Sequence, residues 1–143
     1  MLLPEKAQQL IKDRVLGVIS SVNRYGHPES ALVGMAISPD GEIVFGTQLS
    51  TRKYQNILEN RRVSIVFSLE KMEVQLEGDA RPVSDEQAER YQEVLFAANP
   101  AARRYADDPG ERYVAISVDW VRWVDYSAKP VVEEYGSHDE EEV

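Results

Sequence analysis

Two short turns near the start of the chain decide most of what it can become. Asn23-Arg24-Tyr25-Gly26 and Ser38-Pro39-Asp40-Gly41 each carry a glycine free to take positive φ, and each lies between segments rich in strand-forming residues. Segments joined this closely pair antiparallel, because parallel neighbours need a long crossover. Residues 15–22, 29–37 and 42–47 are therefore expected as consecutive strands, the first two forming a hairpin.

The remaining elements follow from periodicity. Residues 62–69 are rich in Val, Ile and Phe and read as a fourth strand. In 73–83, Val74 and Leu76 alternate with Glu73, Gln75 and Glu77, the mark of a half-buried fifth strand, and Gly78 suggests a bulge. Residues 112–126 form a long last strand, bent near Asp119. Helices are expected over 4–14, with Pro4 in the first turn and Ala7, Leu10 and Ile11 on one face. A second spans 51–60, capped by Ser50 or Thr51, with Tyr54, Ile57 and Leu58 as its apolar stripe. A third runs from Ser84 to Asn99, opened by a Ser84/Gln87 capping box, and Pro100 starts a short further piece. The order predicts a mainly β protein with α elements: one domain over 1–136, an antiparallel barrel of about six strands with peripheral helices. The acidic stretch 137–143 is expected to be a disordered tail.

Charge and residue content exclude several functions. A net charge of -9 argues against nucleic acid and anionic membrane surfaces, both of which call for clustered Lys and Arg. No apolar run is long enough to span a bilayer, and the first residues lack the layout of a signal peptide, so a cytoplasmic location is expected. There is no cysteine, and the only histidines are His27, in a turn, and His138, in the acidic tail. Neither a metal site nor a nucleophilic triad is expected from that set.

One segment carries chemistry: Phe45-Gly46-Thr47-Gln48-Leu49-Ser50-Thr51-Arg52-Lys53 leaves a strand, turns and enters a helix. Unpaired N–H groups at a helix start attract an anion. Arg52 and Lys53 add two cations there, and Thr47, Ser50 and Thr51 add hydroxyls. Cations in a first helical turn oppose the helix dipole, so without an anion they are locally unfavourable. A phosphate monoester uses every one of these groups.

This loop, followed by Asn60-Arg61-Arg62-Val63 and another apolar strand, resembles the FMN-binding split-barrel superfamily typified by pyridoxamine 5'-phosphate oxidase. Tyr25-Gly26-His27-Pro28 is similar to the family's glycine-proline turn, and Val74-Gln75-Leu76-Glu77-Gly78 to its strand motif. The resemblance covers about residues 10–126 and implies a split antiparallel barrel. It also implies FMN as cofactor and a homodimer with the cofactor at the interface. Thr47, Arg52 and Lys53 fall on FMN-contacting positions, the two cations on the phosphate, with Ser50 and Thr51 beside them. Val33, Gly34 and Met35 would lie under the flavin ring, their amides near its polar edge. Gln75 would stand in for a flavin-contacting glutamine that aligns with Glu73.

Departures from the family pattern bear on the substrate. The second strand of the oxidase begins with an Arg that reaches cofactor and ends with a Lys that helps hold substrate. Here those positions are Ala31 and Ala36, and residues 29–40 contain no Arg or Lys. Oxidation of pyridoxamine phosphate itself is therefore not expected. The resemblance implies an FMN-dependent oxidoreductase acting on an unassigned small molecule, with no catalytic side chain evident. The alternatives are an F420-dependent reductase, a non-catalytic flavin or haem protein, and a barrel without cofactor. Trp120 and Trp123 read first as barrel or interface packing. Tyr91, Phe96 and Tyr105 read as core residues on helices able to roof the groove.

Overall fold

The first hairpin forms where its turn residues place it. In the computed structural model, which describes residues 1–136, β1 (Leu16–Val22) pairs antiparallel with β2 (Pro28–Gly34), from Leu16↔Gly34 to Val22↔Pro28. Gly26 adopts φ +81°, and the Asn23 carboxamide oxygen accepts the N–H groups of Tyr25 and His27. The acidic stretch from Ser137 onward lies outside the described residues.

The strand expected over 29–37 is two strands. It breaks at Met35, whose N–H donates to the Val15 carbonyl at 2.9 Å. Beyond it, β3 (Ala36–Ile37) pairs with β4 (Ile43–Gln48) instead of β1. The sheet order is β2-β1-β5-β6-β7-β4-β3, with β5 at Arg62–Leu69, β6 at Met72–Pro82 and β7 at Glu111–Asp125. The Met35 break thus joins the two ends of the sheet. The chain, not a hydrogen-bonded ladder, closes the barrel there, which makes this a split barrel. An eighth strand, β8 (Val131–Gly136), pairs with β7 and exceeds the expected six. It is an edge strand with charged Glu133 and Glu134 in place of an apolar face, so periodicity hides it.

The bulge expected at Gly78 is present. Glu77 pairs with Trp120 but Gly78 with Val118, so Asp119 is skipped in the register. Its carboxylate turns to Arg62, whose Nη2 donates to Oδ1 at 3.2 Å.

Helix α1 (Glu5–Arg14) buries Ala7, Leu10 and Ile11 as expected. In α2 (Arg52–Glu59) Tyr54 and Ile57 are buried, but Leu58 is exposed and Asn56 takes the third inward position. Thr51 occupies the N-cap without capping: its hydroxyl donates back to the Gln48 carbonyl. No capping box opens α3 (Ala88–Ala98); Ser84 heads a turn, its carbonyl accepting the Gln87 N–H, and the helix starts later. A 3₁₀ helix follows at Pro100–Tyr105.

The main core, with Phe45, Phe67, Ile57 and Leu76, fills the barrel. A second cluster packs Tyr91, Leu95 and Phe96 of α3 against Val44, Tyr113 and Ala115. Tyr91 also anchors α3 through polar contacts. Its hydroxyl donates to Glu42 Oε1 (2.7 Å) and accepts from Arg81 Nη2 (2.8 Å), and Arg81 Nη1 donates to Glu42 Oε2 (2.6 Å). Burial pushes the Glu42 carboxyl up, but the bonds from Arg81 and Tyr91 outweigh it and hold the group below its usual range. A carboxyl depressed on folding stabilises above its unfolded pKa and loses that contribution as pH falls through the folded one. Tyr91→Phe should therefore cost about 1–2 kcal/mol at neutral pH. The difference in melting temperature from the parent should shrink as the solution is acidified below the carboxylate range.

Candidate functional site

The 47–53 loop does meet a cavity, and the sheet register decides which of its residues reach it. A cavity of about 490 Å³ lies between the end of β2, the end of β4 and the start of α2, within the range of cofactor sites. Val33, Gly34, Thr47, Thr51 and Lys53 line it, so five of the expected residues come together. Leu95, Asn99 and Tyr105 bring α3 and the 3₁₀ helix over it as a roof.

Thr47 is buried, and its hydroxyl lies 2.9 Å from that of Thr51. Because Thr51 donates to the Gln48 carbonyl, Thr47 is the donor to Thr51, and the pair forms a short chain that a ligand oxygen can interrupt. The first intrahelical bond of α2 runs from the Gln55 N–H to the Thr51 carbonyl, so the N–H groups of Arg52, Lys53 and Tyr54 precede it. Lys53 is half-buried and makes no hydrogen bond or close ion pair among the described residues. Burial lowers the affinity of its amine for a proton, and the Glu111 carboxylate partly restores it.

Arg52 behaves differently. Its exposed guanidinium lies 3.2 Å from Glu29 Oε2, and Glu29 is held in turn by Asn56 Nδ2 at 2.8 Å. The Asn56 bond, opposed by burial and aided by Asn23 and Arg52, keeps the Glu29 carboxyl below its usual range. Arg52 and Lys53 meet across a cleft of about 100 Å³ lined also by Ser21, Ser30 and Ala31. Ala31 therefore borders the loop cations.

Three expected residues lie elsewhere. Ser50 is exposed and faces a separate cleft beside Tyr25 and Arg24. Met35 is in the core at 1% exposure, and its N–H is taken by Val15, so it offers no amide to a ring. Gln75 shares a cross-strand row with Leu32, Val18 and Val66, three strands from Leu32 on the outer face. At the usual strand spacing that is about 14 Å away. It lines its own cavity with Ser64 and Trp120. Trp123 packs in the main core, the Lys6 ammonium 4.1 Å from its ring centroid.

Sequence reasoning missed Glu111 and Asn99, both cavity-lining. A Cβ on Gly46 would stand 2.8 Å from Glu111 Oε2, and one on Gly34 would stand 2.4 Å from Asn99 Nδ2. The two glycines thus make room for these polar groups. Glu111 Oε1 accepts from Gln48 Nε2 at 2.7 Å. Burial pushes the Glu111 carboxyl up, with Asp108 adding to the effect and Gln48 and Lys53 opposing it. Among the described residues no helix is long and apolar enough to cross a membrane, and no group of His, Cys, Asp and Glu is arranged to hold a metal.

The comparisons with known proteins agree with this architecture. None of the curated proteins compared with the chain matches it. Among solved structures, a haem-binding protein from Mycobacterium smegmatis superposes with a TM-score of 0.79 at 23% identity over 95% of this chain. The chain spans 60% of the length of that protein. A pyridoxamine 5'-phosphate oxidase-related, FMN-binding protein from Nostoc punctiforme PCC 73102 gives 0.74 at 13% identity, covering 97% of this chain and 93% of that one. PhzG from Burkholderia lata 383, in complex with tetrahydrophenazine-1-carboxylic acid, gives 0.70 at 11%, covering 90% and 79%. At these identities the likeness is one of fold. The sequence profile described as pyridoxamine 5'-phosphate oxidase matches residues 3–125, most of the chain, and the chain belongs to that family.

Proposed function

We propose that the chain is an FMN-binding flavoprotein that holds the cofactor phosphate at the 47–53 loop. The observation that carries this reading is Lys53: a half-buried ammonium without a close partner among the described residues, beside two hydroxyls and a helix start. Such a group is costly unless an anion meets it. The residues fit FMN. Lys53, Arg52, Thr47 and Thr51 would hold the phosphate, and Val33 and Gly34 would form the wall along which the rest of the molecule lies. Bound FMN would supply the redox chemistry, and the protein orients it and sets its surroundings. Asn99 and the helical roof would position a small-molecule substrate and exclude water. A cytoplasmic oxidoreductase is the corresponding activity.

A homodimer completes this reading. Leu32 is 65% exposed at the cavity rim and continues through Val18 and Val66 into an apolar outer face ending at Gln75. A second copy covering that face would bring its own Gln75 toward the flavin of the first. Haem is less well supported, since the cavity lining includes no His or Met. F420, with its longer anionic tail, would need more basic surface than Arg104 provides.

The test is direct. The purified chain should be yellow, or become so with FMN, and bind it at micromolar concentration or tighter. F420 should bind more weakly. No binding of FMN in a titration followed by flavin fluorescence would sink the proposal.

A further inference from the structure

Each cation of the loop has a carboxylate of the chain in its surroundings, Arg52 in contact and Lys53 beyond ion-pair distance. Glu29 contacts Arg52, and Glu111 lines the same cavity as Lys53 and acts on it electrostatically. The two cations and two carboxylates sum to zero. Arg104 adds one positive charge to the cavity lining, so a phosphate monoester, at roughly -1.5 to -2 near neutral pH, exceeds the net charge available to receive it.

The two carboxylates are not equivalent. Glu29 belongs to a hydrogen-bonded set with Asn56, Asn23 and Arg52, all of which favour its charged form. Glu111 lines the main cavity, and its surroundings are mixed. Oε1 accepts one bond from Gln48, and Oε2 occupies the space where a Cβ on Gly46 would project. The groups facing it are Lys53 from α2, Asp108 from the preceding loop, Tyr113 from β7 and Arg104 from the 3₁₀ helix. Of these, Asp108 repels its charge, and a bound phosphate would do so more strongly.

Resting on the FMN reading, we propose that Glu111 is a specificity-determining residue that sets the charge the cavity accepts. Phosphate enters together with one proton, taken from solvent and held by the Glu111 carboxyl or by the phosphate oxygen beside it. The pocket thereby discriminates against fully ionised phosphate and accepts the flavin in proportion to available protons. Binding and protonation are then coupled reciprocally.

The experiment is isothermal titration of the full chain with FMN and with riboflavin at pH 8, in two buffers of different ionisation enthalpy. At that pH free FMN is a dianion, with its second phosphate ionisation complete. FMN binding to the parent should take up close to one proton, and riboflavin binding none. Glu111→Gln keeps the bond from Gln48 and removes the charge. It should abolish the uptake and tighten FMN by about tenfold, the equivalent of one pKa unit, leaving riboflavin unchanged. Proton uptake by the parent alone tests the idea if the variant folds poorly. FMN binding to parent and variant with equal affinity and no uptake would overturn the role of Glu111 and leave the FMN reading standing. Absence of FMN binding to both would overturn both.

Discussion

Replacing Arg52 and Lys53 together by alanine should weaken FMN by at least about a hundredfold while changing riboflavin only a few-fold. The estimate follows from about 1.5–3 kcal/mol for each hydrogen bond to a charged group, with less than full additivity because the two cations share one anion. The two single variants should not be equal. Arg52 is exposed and already engaged by Glu29, so phosphate must compete for it. Lys53 is half-buried without a close partner among the described residues, and its removal leaves Glu111 with no opposing cation in the cavity except Arg104. Lys53→Ala should therefore account for most of the loss. Riboflavin lacks the phosphate, so it reports whether the cavity itself survives. Equal losses for the two ligands would show that the loop does not hold phosphate, whatever else binds.

How much of this was legible from sequence depends on how local each feature is. The loop is local: the strand, the turn and the helix start are contiguous, so Thr47, Thr51 and Lys53 could be placed together without the fold. Gly78 was legible for the same reason, since a glycine inside an alternating strand weakens it unless a bulge or a close backbone approach requires one. Met35 was misplaced because the apolar run from Ala31 to Ile37 continues across the break while the pairing partner changes. Nothing in the residues 29–37 marks the point where Val15 takes the Met35 N–H. Glu111 was out of reach because its position depends on the register Gln48↔Glu111, which joins segments more than sixty residues apart. The traces that Glu111 and Asn99 leave in the sequence are Gly46 and Gly34, each near one end of its strand. Glycine there has a reason only once the side chains of Asn99 and Glu111 are known to occupy the space. Glu29 lies between these cases. It is two residues before Ala31 and so shares its face of the strand, but its grip on Arg52 depends on Asn56 turning inward where Leu58 was expected.

The bulge at Gly78 ties the stability of the barrel to the outer face that would meet a partner, and it supplies the second large effect. Gly78→Ala should lower stability by about 3 kcal/mol, the upper part of the range for overpacking. For a domain of this size that is a drop in melting temperature of about 10 °C. The cause is steric. A Cβ at this position would stand 2.2 Å from the Ser117 carbonyl oxygen and 3.0 Å from the Val118 Cα. Both are backbone atoms of the paired strand, so no rotamer change relieves the contact. Relief requires moving β7 away from β6 along a ladder that runs from Met72↔Asp125 to Pro82↔Val114. The alternative is to absorb the skipped residue and shift the register by one, which would turn Val74 and Leu76 out of the core and Gln75 into it. Either route costs more than an alanine gains. The second would also withdraw Asp119 from Arg62, which adds to the loss of stability. If the variant melts within a degree or two of the parent, the close approach of the two backbones at the bulge is wrong, and with it the register that puts Gln75 on the outer face.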